Sequence, residues 1–126
     1  MLRQTKTWDV RCPQGLARMF PRAKRKGYYY KVDREQAQEI CRLLSKEYGV
    51  PVPKVQPETP VDCNGAALPG KVWMHGRAHM KTVFHEWYHT LEWYTKGKYN
   101  SHDRQGGPSS LAWQFADRMF DALRST

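Results

Sequence analysis

The sequence predicts an α+β domain: a small mixed sheet with a packing helix, a second helix carrying His-Glu-x-x-His, and a C-terminal helix. Three observations predict it. Three stretches repeat apolar residues at helical spacing. Short runs of strand-forming residues lie between the first two, bounded by Asn-Gly and Pro-Gly turn signals. The chain has 126 residues, 40% of them apolar and 13% aromatic, which suits one modest core rather than a disordered chain.

Residues 1–27 lack clean periodicity and are punctuated by Pro13, Gly15, Pro21 and Gly27. They read as a basic N-terminal arm or irregular lead-in, with the folded domain spanning 28–126. Tyr28-Tyr29-Tyr30-Lys31-Val32 is rich in strand formers. Asp33 and Gln36 have capping-box spacing and open a helix. Ala37, Ile40, Cys41, Leu44 and Tyr48 form its apolar stripe, Gly49 is its C′ residue, and Pro51 lies just beyond. Val50–Val55 is extended but holds two prolines, so it is an edge strand or a loop. Ala66–Leu68 and Lys71–His75 read as short strands joined by Pro69-Gly70, in hairpin fashion. Gly76 ends the second of them. A helix then runs from His79 or Met80 to Tyr94, with Met80, Val83, Phe84, Trp87 and Leu91 as its stripe, and Gly97 stops it. After a polar loop over 98–108, Ser109 or Ser110 caps a last helix. That helix buries Leu111, Ala112, Phe115, Ala116, Met119, Phe120 and Leu123.

Charge is distributed unevenly. Residues 1–31 hold nine Lys or Arg against a single acid, Asp9. The other 95 residues hold 12 basic and 11 acidic side chains, out of a net +9 for the whole chain. The dense cluster Arg22, Lys24, Arg25 and Lys26 just before the tyrosines has two readings. It is a nucleic-acid contact, or a solvated turn before a core strand. No apolar run is long enough to span a bilayer, so no membrane role is expected. The opening MLRQTKTWDVRC lacks the apolar segment of a secretory leader. Cys12, Cys41 and Cys63 are odd in number and widely spaced, which argues against a disulfide framework or a cysteine zinc site. A reducing, cytoplasmic or other intracellular location is the expectation.

The chemistry concentrates in Val83-Phe84-His85-Glu86-Trp87-Tyr88-His89. Side chains four apart share a helix face, so His85 and His89 can hold one zinc ion. Glu86 lies roughly 100° around the helix, beside the metal, where its carboxylate can act on a water as general base. A catalytic zinc wants a third protein ligand and an open position. His102, on the loop after the helix, is the first choice; Asp103 is the alternative and Asp117 the third. His75 and His79 shape the cleft, bind substrate, or serve as surface or capping residues. The Val72–His75 strand is a candidate for pairing with an extended peptide. Tyr88, Tyr94, Tyr99 and His79 are open candidates for stabilising an oxyanion.

With these elements in place, the chain resembles a minimal zincin metallopeptidase. The resemblance is carried by the Asp33–Tyr48 helix, Asn64-Gly65-Ala66-Ala67, the strand Lys71–His75, His85-Glu86-Trp87-Tyr88-His89 and the Leu111–Ala116 helix. It covers roughly residues 28–124 and looks like SprT-like and ImmA/IrrE-like small zinc metalloproteases. The resemblance implies His85 and His89 as zinc ligands and Glu86 as catalytic base. The SprT-like pattern places the third ligand at His102. The ImmA-like pattern places a Glu on the last helix, where this chain has Ser109. It further implies a protein or peptide substrate, a hydrolase activity, and a setting near nucleic acid that the basic arm would suit. The rival expectation is a non-catalytic zinc-containing nucleic-acid-binding or protein-interaction module with a vestigial site.

Overall fold

A computed structural model describes residues 9–25, 30–56, 65–68, 70–74, 76–96 and 111–125 of the chain. The architecture is α+β, with four helices and two small sheets among the described residues. Helix α1 spans Gln14–Met19 and leads to strand β1, Lys31–Val32. Helix α2 covers Arg34–Tyr48. Strands β2 (Lys54–Gln56), β3 (Gly65–Leu68), β4 (Lys71–Met74) and β5 (Ala78–His79) follow. The chain then enters helix α3, Met80–Lys96, and the described part ends in α4, Leu111–Ser125.

Helix α2 forms as its capping pattern predicts. Asp33 Oδ1 accepts from the Gln36 amide at 2.8 Å, and Gln36 Oε1 accepts from the Asp33 amide at 3.0 Å. Two amide groups that the first turn leaves without helical partners are thereby satisfied. Gly49 ends the helix at φ 71°, a left-handed conformation that costs a side-chain-bearing residue roughly 1–2 kcal/mol. Ala37, Ile40, Cys41 and Leu44 are buried, as their spacing requires. Burial pushes the Cys41 thiol up to about 12, so it is an inert core residue.

The N-terminal lead-in is not wholly irregular. Residues 14–19 are helical, and Leu16, Phe20 and Ala23 are buried in the common core. A helix of six residues has under two turns, too few to show a periodic stripe. In the basic cluster Arg22, Lys24 and Arg25 are exposed on a turn around the buried Ala23; Lys26 lies outside the described residues.

The three-stranded sheet has the order β2-β4-β3. Strands β3 and β4 form the expected hairpin, with Leu68 opposite Lys71 and Gly65 opposite Met74. Gly70, at φ 80°, closes its turn. Strand β2 runs parallel to β4, with Val55 opposite Val72. The Val72–His75 strand is therefore central: its backbone is paired on both sides over Lys71–Trp73, and Met74 is paired with β3. This corrects the expectation that it could accept a peptide strand. The hairpin takes one flank, and the residues just past the two prolines take the other. The sheet edges are β2 and β3. Edge β2 is itself clamped by Gln38 of α2, which donates to the Pro53 carbonyl and accepts from the Val55 amide, both at 2.9 Å.

Helix α3 is the centre of the fold. It packs against α2, α4, β3 and β4. One buried stripe was the expectation, but nearly every residue from Val83 to Glu92 is buried, and exposure begins at Trp93. Trp87, fully buried, donates its indole N–H to Ser45 Oγ on α2 at 2.9 Å. Tyr88 packs its ring on Phe115 of α4, centroids 4.9 Å apart. These contacts leave the rotation of α3 little freedom, and so set where its histidines point.

Candidate metal centre

His85, Glu86 and His89 converge at the middle of α3. The Nε2 atoms of His85 and His89 stand 3.4 Å apart, and the ring planes are nearly perpendicular at 88°. Two imidazole nitrogens at about 2.0–2.1 Å from one tetrahedral zinc lie roughly 3.4 Å from each other. The pair is therefore spaced as ligands of a common ion. Glu86 Oε1 lies 3.3 Å from His85 Nε2, and the ligand atoms of the three residues lie within 4.8 Å of one another.

Glu86 is buried although it carries a carboxylate. It borders a shallow apolar recess formed by Ala37 of α2, Val55, Val72 and Met74 of the sheet, and Val83. Loss of solvation in these surroundings raises its pKa to about 7, with the nearby His89 acting in the opposite direction. A carboxyl balanced near neutrality can both take and return a proton.

Two neighbours of the site lay outside the sequence reading. Glu92 is fully buried, and its Oε1 lies 3.4 Å from Nδ1 of His89. A carboxylate there favours the tautomer with the proton on Nδ1, which leaves the Nε2 lone pair facing His85. The signal was present in the numbering: Glu92 follows His85 by seven and His89 by three, on the same helix face. Trp113 of α4 stacks on the His85 ring, centroids 4.2 Å apart at 37°. Glu92 thus holds one imidazole and Trp113 the other.

The remaining candidates divide clearly. His102 and Asp103, the third-ligand choices, lie outside the described residues, as do His75, Tyr99 and Ser109. Asp117 is exposed on α4 and pairs with Lys81 at 3.0 Å; it is not among the described groups that converge with His85 and His89. Among the described residues no further His, Cys, Asp or Glu joins the three. His79 is a capping residue: its Nδ1 accepts from the Lys81 amide at 3.1 Å where α3 begins. Burial, with Lys81 and Lys31 nearby, lowers its pKa. Tyr88 is inside the core and Tyr94 is exposed beyond the buried part of α3.

These features define the class of arrangement: a helix-borne cluster of two histidines and a carboxylate that can hold a divalent metal. Comparisons of the chain with protein-family models, curated proteins and solved structures found no match. Among the described residues no helix is long and apolar enough to cross a membrane.

Proposed function

We propose that the protein is a zinc-dependent metallopeptidase of minimal zincin type. The observation that carries this reading is the 3.4 Å convergence of His85 and His89 Nε2 beside the buried carboxylate of Glu86. His85 and His89 hold the ion, with His102 or Asp103 as third ligand. Bound zinc supplies Lewis acidity, lowering the pKa of water at the site toward neutrality and polarising the substrate carbonyl. Glu86 removes a proton from the attacking water, and then carries that proton to the leaving amine. Glu92 keeps the His89 Nδ1 proton in place, and Trp113 restrains the His85 ring.

The test is hydrolysis of unfolded protein by the zinc-loaded chain and by Glu86→Gln. The wild type should cleave, and the variant should keep one equivalent of zinc and lose cleavage. A zinc-loaded wild type that cleaves nothing, or a Gln variant that cleaves as well as wild type, refutes the reading. The first outcome favours a non-catalytic metal-containing module.

A further inference from the structure

Glu86 is spaced from the histidines as a ligand is. Its Oε1 lies 3.3 Å from His85 Nε2, against 3.4 Å between the Nε2 atoms of His85 and His89. Around one tetrahedral zinc, a histidine nitrogen at about 2.0–2.1 Å and a carboxylate oxygen at about 2.0–2.2 Å stand roughly 3.3–3.5 Å apart. The donor atoms of all three residues lie within 4.8 Å of one another. A carboxylate that acts only on a water stands one layer further out, with the water between it and the ion.

Burial points the same way. Glu86 is 7% exposed, and among the described residues no Lys or Arg pairs with it. A buried carboxylate is costly unless a cation or hydrogen bonds compensate it. Ligation beside His85 and His89 compensates it directly. The histidines are turned for the same arrangement. Glu92 faces Nδ1 of His89, which leaves the Nε2 lone pair toward the centre. A hydrogen bond from His85 Nε2 to Glu86 would put a proton on that nitrogen, where a ligand needs its lone pair. Once His85 is a ligand, Glu86 keeps its place beside that nitrogen by binding the same ion.

We propose, on the zinc-peptidase reading above, that Glu86 is itself a ligand of the resting centre and must leave the ion before it can act as base. A catalytic zinc keeps one position open for water or substrate. Glu86 fills a position of that kind, so the resting centre is closed and the metal-loaded protein is a latent form. Substrate then competes with an internal carboxylate as well as with water.

The experiment loads the full chain with cobalt(II), whose visible absorption reports the directly bound atoms, and measures zinc affinity by competition with a chromophoric chelator. Glu92→Gln is the yardstick, because it removes a buried carboxylate that faces His89 Nδ1 from outside the centre. Glu86→Gln should change the cobalt bands and lower zinc affinity by more than the about 10–100-fold that an outer partner is worth. Glu92→Gln should keep the wild-type bands and stay within that range. Melting curves of the metal-free proteins confirm that each is folded. Wild-type cobalt bands in Glu86→Gln, or a loss of zinc affinity no greater than that of Glu92→Gln, overturns the proposal and leaves Glu86 beside the ion as base alone. Cleavage is not read in this experiment, so a loaded wild type that cleaves nothing refutes the peptidase reading without touching the ligand set.

Discussion

Replacing Glu86 by Gln should stabilise the metal-free protein, and the gain should depend on pH in a defined way. Glu86 is buried beside apolar side chains, which raises its pKa from 4.5 to about 7. The folded protein therefore holds this proton more tightly than the unfolded chain does. Between about pH 4.5 and pH 7 the native state binds more protons than the unfolded state, so stability falls as pH rises through that window. Above it the loss is complete. A gap of roughly 2.5 between the two pKa values corresponds to about 3 kcal/mol. Glutamine has nearly the same shape and never ionises. The two proteins should thus be about equally stable at pH 4, and the variant should be more stable by about 3 kcal/mol at pH 8. Urea titrations of chelator-treated wild type and variant across this range read the difference directly. Zinc should shrink it, because a cation beside the carboxylate favours the charged form. Parallel stability curves from pH 4 to pH 8 would refute the argument that burial holds this carboxyl near neutrality.

Three further substitutions test other parts of the structure. Glu92→Gln should lower zinc affinity by about 10–100-fold, measured by competition with a chromophoric chelator, while Glu92→Asp should recover part of it; equal affinity in all three proteins removes Glu92 from the metal centre. Ser45→Ala leaves the buried Trp87 indole N–H without its acceptor and should cost about 1–3 kcal/mol in urea unfolding. Leu16→Ala should cost about 2–5 kcal/mol, since Leu16 is fully buried; a value near zero would return residues 9–25 to the status of a detachable arm.

What could be read from the sequence follows from how each element earns its stability. Helices α2 and α4 each bury one face, so their stripes were written at helical spacing, and Asp33 and Gly49 marked the ends of α2. The His85–Glu86–His89 cluster was legible for the same reason, because it depends only on local helix geometry. Helix α1 was hidden because six residues cannot display a period. The position of β4 was hidden because neighbour order in a sheet is set by contacts between strands distant in sequence. Lys54–Gln56 carries no local mark that it will lie parallel to Lys71–Met74 rather than stand alone.

Glu92 shows a different kind of concealment. A glutamate near the end of a helix is ordinarily solvated, and burying a lone carboxylate is costly. Its side chain is fully buried all the same, facing His89 Nδ1. Hydrophobic patterning places such a residue outside by default, so it is blind to a charge that is inside for a reason. The reason is visible only when the helix is read for hydrogen-bond partners as well as for apolar stripes. Counted that way, positions 85, 89 and 92 form one line, from ligand to ligand to the group that orients it. A glutamate on that line has a use for its burial that a solvated surface residue lacks. If Glu92 were there only to fill space, glutamine would serve equally well, and zinc affinity would not separate the two.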